Sequence, residues 1–146
     1  MLESESSSDS EMWNYATYVL GYKGATHDIA HKRPADFSGQ WDRWRAEQHA
    51  YFLKRLRDTP EGDGNMLDRT AVLWGSGHPH ASHSTKNYPL HLAGGKALGF
   101  KHGNLHAFEG DKKVPMANLF VSMLNAVDVP TEKFADSTGE MTELTS

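Results

Sequence analysis

Imidazole is the side chain through which this sequence could bind a transition metal, because it carries nine histidines and no cysteine. Two of the nine stand four apart in Thr26-His27-Asp28-Ile29-Ala30-His31. On a helical turn that spacing places both rings on one face, close enough to share an ion. Gly21, Gly24 and Pro34 leave room for little more than one turn there. A second cluster follows a short apolar run: Gly75-Ser76-Gly77-His78-Pro79-His80-Ala81-Ser82-His83 has three histidines within six residues. A loop leaving a strand end can aim several of those nitrogens at one point. Neutral imidazole suits zinc, copper, iron and nickel, and protein ligands with one position left open form the catalytic arrangement. The plainer alternatives are two solvated loop histidines in the first case and, in the second, a His-rich loop that scavenges metal without a defined role.

Other residues enter with less pattern behind them. Asp28 or Glu47 could act as a general base, although no spacing selects either. Ser76 sits in a Gly-Ser-Gly turn that invites a nucleophile reading. The nucleophile elbow, however, needs glycine two before and two after the serine, and here those positions are Trp74 and His78. What Ser76 can offer is its backbone amide, beside those of Gly75 and Gly77, as an oxyanion contact. His49 falls on the apolar stripe of a helix and His91 inside a strand, while His102 and His106 flank a turn, so these four stay outside the ligand set.

The elements that must position these residues follow from periodicity. Residues 1–11 are acidic and Ser-rich, a composition that predicts a flexible lead, and residues 12–146 predict a single α/β domain. An aromatic run, Trp13, Tyr15 and Tyr18, makes Met12 to Leu20 a strand or short helix. Ala46, His49, Ala50, Leu53 and Leu56 recur at three- and four-residue steps and predict a helix from Ser38 to Asp58, capped by Asp36 or Ser38 and stopped by Pro60 with Gly62 and Gly64. Strands are expected at Thr70–Trp74, at Tyr88–Ala93 and, more weakly, at Asn104–Phe108. Pro115 opens a second helix over Met116–Val127 with Leu119, Met123 and Ala126 inward. The tail after Phe134 reads as irregular. The sum is a small open sheet of about three strands with two main helices and loops at the strand ends, where open α/β sheets place their sites. So thin a sheet leaves an unpaired edge and an apolar helix flank, an expectation of a homo-oligomer, at least a dimer.

Bulk properties bound the function. The chain has 146 residues, 38% of them hydrophobic, and a formal charge of −4; mean hydropathy is −0.64. No concentrated Lys/Arg footprint is present, which argues against nucleic acid or an anionic membrane surface as partner and leaves a small-molecule substrate. No apolar run approaches the ~18–20 residues of a membrane span. Met1-Leu2-Glu3-Ser4-Glu5 lacks the basic-then-apolar order of a signal peptide. Absence of cysteine excludes disulfides and thiol nucleophiles but leaves the compartment open.

Motifs of the chain also match a family, in order and with similar gaps from Gly21 to Gly139. Gly21 to His31 reads G-Y-K-G-A-T-H-D-I-A-H, beside a family stretch like G-V-P-x-x-H-H-P-L-S-H-H. Trp44-Arg45-Ala46-Glu47-Gln48-His49-Ala50-Tyr51-Phe52-Leu53 is similar to F-H-x-E-Q-F-A-Y-F-L. Pro60-Glu61-Gly62-Asp63-Gly64, Leu73-Trp74-Gly75-Ser76-Gly77, Pro115-Met116-Ala117-Asn118-Leu119 and Phe134-Ala135-Asp136-Ser137-Thr138-Gly139 have counterparts as well. The chain thus resembles the C-terminal part of domain-of-unknown-function family 1552, itself alkaline-phosphatase-like, whose members are longer at the N-terminal side. The resemblance implies an exported bacterial protein and selects a ligand set. One zinc of the phosphatases takes an Asp-x-x-x-His pair and a distant His, and His27, His31 and His83 resemble that trio with His in place of Asp; His78 and His80 are extra. The phosphatase nucleophile and most ligands of its second metal would lie in the portion that precedes the matching segment, and Ser76-Gly77 stands where an Asp-His pair is expected. Phosphatase chemistry therefore does not carry over, and the chemistry of one ion on imidazoles, zinc ahead of copper, points to a mononuclear metal-dependent hydrolase of esters or similar bonds. Its alternatives are a non-catalytic, metal-stabilised binding or structural module left over from a larger enzyme, and a copper-dependent redox protein.

Overall fold

The structure, a computed structural model, describes residues 15–23, 26–32, 35–75, 82–83, 88–108 and 114–145. It is a mixed α/β chain with four helices and two two-stranded sheets among those residues. Its contacts divide the chain into two compact units, Met1–Phe52 with Gly75–Pro89, and Leu53–Trp74 with Leu90–Ser146. The expected flexible lead over residues 1–11 lies outside the described residues.

In the first unit the aromatic run resolves as helix α1, Tyr15–Leu20, and the His-x-x-x-His segment as helix α2, Thr26–Lys32. Helix α3, Ala35–Arg57, follows and carries the chain past the boundary at Phe52. It starts three residues earlier than the sequence predicts. Asp36 and Ser38 therefore both lie inside the helix, and neither is its cap. The predicted apolar face is corrected in part: His49, Leu53 and Leu56 are half-buried as expected, but Ala46 and Ala50 are exposed, and Trp41, buried, and Trp44, half-buried, extend the packed side. Small alanines give a helix little to bury, and the indoles farther toward its N-terminus supply the contact area. Ile29 of α2 and Trp41 of α3, 2% and 5% exposed, form this unit's core, with Leu20, Tyr22 and Trp44 packed around them. Trp41 and Trp44 stack at 4.9 Å, and Tyr22 meets Phe37 at 5.0 Å.

In the second unit Pro60 ends α3's trajectory and starts a minimal antiparallel hairpin that the sequence reading did not foresee, β1 (Pro60–Glu61) with β2 (Gly64–Asn65). Asn65 and Asp68 form a reciprocal capping box that turns the chain into a 3-10 turn over Met66–Arg69. Strands β3 (Ala71–Gly75) and β4 (Leu90–Gly94) pair as the second sheet. Gly94, at the end of β4, lies against the carbonyl of Thr70, just before β3, so the two strands run antiparallel.

The third expected strand is absent: 104–108 is described and forms no ladder. Leu105 there is 94% exposed and Phe108 43%, so the segment buries little of what would hold a strand in place. The single three-stranded sheet is therefore two separate two-stranded ones. Helix α4, Met116–Ala126, falls where the sequence puts it. Its Leu119 packs with Phe100, Met141 and Leu144 as the core, joined by Leu73, Leu92, Met123 and Ala126. The tail read as irregular is ordered by that core. It ends in a 3-10 turn, Thr142–Leu144, and Lys101 donates its N–H to the Leu144 carbonyl. Among the described residues no helix is long and apolar enough to cross a membrane.

Candidate metal centre

The local fold of α2 decides where its histidines go. Ile29 lies about 180° around the helix from the midpoint between His27 and His31 at 100° per residue. Burying Ile29 against Trp41 therefore turns the histidine face away from the core. His27 is half-buried and His31 exposed. Their ring centroids are 4.5 Å apart and the planes inclined by 50°. Alongside them, Lys32 donates to the Asp28 carboxylate at 2.8 Å, one turn apart. That hydrogen bond, with the carboxylate's charge, raises the Lys32 pKa above its ordinary value.

The residue expected from the sequence as a distant partner, His83, lies beside this pair. His83, 52 residues along the chain from His31, brings its Nε2 to 3.2 Å from His31 Nε2, with ring centroids 5.1 Å apart. Its backbone holds φ at 58°, the left-handed region that a non-glycine residue enters at a cost of roughly 1–2 kcal/mol. Two imidazole nitrogens at this distance serve either of two chemistries. One ring can donate N–H to the other, or both can present lone pairs to one ion. Metal–nitrogen bonds of about 2.0–2.1 Å at the tetrahedral angle put ligand nitrogens about 3.3–3.4 Å apart, slightly more than the observed 3.2 Å, which is a hydrogen-bond distance. His27 completes a run of three adjacent rings. As the side chains stand, no group of three or more His, Asp or Glu residues among the described ones encloses an ion.

The remaining candidates separate from this centre or lie outside what is described. Ser76, His78 and His80 are outside the described residues. Glu47 is exposed on α3 and accepts from Arg43 at 2.8 Å. Both base candidates, Asp28 and Glu47, thus hold cationic partners. His49 is half-buried on α3 and His91 exposed on β4. His102 is bound through its Nε2 to the Gly94 carbonyl, in the second unit. The sequence reading missed Ile29 and Trp41 as the residues that aim the site. The available signal was Ile29 itself, an isoleucine midway between two histidines and on the opposite side of the turn. Comparison with known proteins finds no matching protein-family model, no matching curated protein and no matching solved structure.

Proposed function

We propose that this chain binds one divalent transition-metal ion, zinc ahead of copper, through the imidazoles of His27, His31 and His83, and that binding ties the 82–83 segment to α2. The observation that carries the reading is the 3.2 Å approach of His31 and His83 across 52 residues of sequence. The motif resemblance to family 1552 supports the same trio. A rotamer change at His27, fast for a partly exposed side chain, would add the third nitrogen. Three imidazoles are a donor set for zinc, copper or nickel, and not for calcium or magnesium. Because ligands from separate segments are drawn together, binding free energy becomes stability of the first unit.

Hydrolysis of an ester is the second reading, favoured by the exposure of His31 and His83, which leaves the centre accessible to substrate. Zinc bound there supplies Lewis acidity and lowers the pKa of water toward about 7. The binding role ranks first because Asp28 and Glu47, the two base candidates, already hold Lys32 and Arg43.

The test is zinc and copper titration of untagged protein by calorimetry. One ion binds per chain, and His27→Ala, His31→Ala and His83→Ala each weaken it by about tenfold or more, the scale set by outer-sphere losses. His102→Ala retains wild-type affinity. Unchanged stoichiometry and affinity in all three variants would falsify the site. The same samples are assayed on an activated ester: turnover that follows zinc occupancy and is lost in His83→Ala promotes the hydrolase reading, and its absence leaves the binding role.

A further inference from the structure

Besides its core face, helix α4 has a polar side that is fully engaged. Its polar residues Asn118, Ser122 and Asn125 point along one side and are consumed by the C-terminal segment. Asn118 donates to Thr138 Oγ1 at 3.0 Å and accepts the Thr138 N–H at 2.8 Å. Ser122 Oγ accepts the Met141 N–H at 2.7 Å. Asn125 accepts the Thr131 N–H at 2.6 Å and donates to Glu140. The opposite side carries Phe120, Met123, Leu124 and Val127, at i, i+3, i+4 and i+7, a complete apolar stripe. That stripe lines a recess of about 530 Å³ within the second unit, walled by Phe134, which meets Phe120 edge-on at 5.9 Å. Val127 and Phe134 remain 48% and 47% exposed. The recess is apolar and open to solvent, a surface on which a ligand's apolar part could be covered.

One lining residue carries charge. Arg69 lies at the recess, placed by the β1–β2 hairpin, where its Nη2 donates to Asp63 Oδ1 at 2.7 Å. A guanidinium has five N–H donors, so one contact to a carboxylate that is itself 93% exposed leaves capacity for a second anion. Thr70, the other polar residue there, already donates its hydroxyl to the Met66 carbonyl at 2.7 Å. Size decides between kinds of occupant. From Phe120 to Val127 the stripe is about 10 Å long. At about one helix diameter wide, roughly 10 Å, it offers on the order of 100 Å², a small fraction of the ~800 Å² per partner that a stable protein interface needs, while the volume lies within the ~300–1,000 Å³ of small-molecule sites.

We propose that this recess binds an amphiphilic monocarboxylate, its aliphatic or aromatic tail on the α4 stripe and its carboxylate on Arg69. Calorimetry or NMR titration of the full chain with decanoate, octanoate and decanol tests it. Decanoate binds about tenfold more tightly than octanoate, from two further buried methylenes, and more tightly than decanol. Arg69→Met weakens decanoate about tenfold and leaves decanol unchanged. Asp63→Asn tightens decanoate by freeing the guanidinium. Val127→Asp, at a half-exposed position that the core does not need, abolishes binding of both tails while circular dichroism stays that of wild type. Absence of binding by any probe, or equal affinities for decanoate and decanol that ignore Arg69→Met, overturns the proposal. So does a dimer, seen by light scattering, that Val127→Asp disperses, since the stripe would then be covered by a second copy.

Discussion

At 3.2 Å, His31 Nε2 and His83 Nε2 must settle which of them carries a proton or whether an ion removes the need for one. That ambiguity is a property of imidazole, and it is why the sequence could supply the donors but not their state. Glycines give the opposite case, in which the sequence marks a position without its reason. Gly94-Gly95 was legible as the end of a strand, whereas Gly99 carried no reading. Both Gly94 and Gly99 have positive φ, 73° and 93°. A Cβ at Gly94 would meet Leu67 O and Leu67 Cδ1 at 2.7 Å, besides the Thr70 carbonyl; at Gly99 it would meet nothing within 4 Å. Gly99→Ala should therefore cost about 1 kcal/mol, the backbone penalty alone. Gly94→Ala should cost about 3 kcal/mol or more, because a backbone carbonyl cannot step aside as a flexible side chain can. Denaturant midpoints of the two variants measure the difference. Equal losses would show that φ, and not contact, sets the requirement at both.

At the scale of elements, α2 links core packing to chemistry, since the residue that anchors it is not a ligand. Ile29→Ala removes a side chain that is 2% exposed from a core of few residues, a loss in the range of about 2–4 kcal/mol. It should also weaken zinc while leaving every imidazole in place, because α2 loses the contact that aims them. Asp28→Asn provides the contrast: it breaks only an exposed ion pair with Lys32, and neither stability nor zinc affinity should change measurably. Chemical denaturation with parallel zinc titrations separates the two effects. An Ile29→Ala protein that binds zinc as tightly as wild type would show the histidine face to be set by something other than the Ile29–Trp41 contact. The sequence exposed this element well, since four-residue spacing of histidines survives even a helix of seven residues. It misjudged Asn104–Phe108 because a short run with a few apolar residues does not say whether they are buried, and the β1–β2 hairpin stayed hidden because two-residue strands carry no periodicity at all.

For the molecule as a whole, the chain leaves the first unit at Phe52 and returns to it at Gly75–Pro89. Nothing in composition marks those crossings, which fall within α3 and at the end of β3, so the division was illegible to any reading that looks for linkers. The consequence is that His31 and His83, 52 residues apart, belong to one unit, while the recess on α4 belongs to the other. Zinc should then protect the chain unevenly. At a free concentration of about one hundred times Kd, binding contributes roughly 2.7 kcal/mol, which slows exchange about a hundredfold for amides whose opening breaks the site. Those amides are in α2 and at 82–83. Amides of α4, held by Asn118, Ser122 and Asn125 to residues 131–141, should keep their rates where they open locally. Hydrogen exchange of the full chain, with and without zinc and again with His83→Ala, reads this out. Slowing confined to the first unit and absent in the variant is the expected result. Equal slowing in α4 would mean that the two units open as one, and no slowing anywhere would mean that zinc does not join α2 to His83.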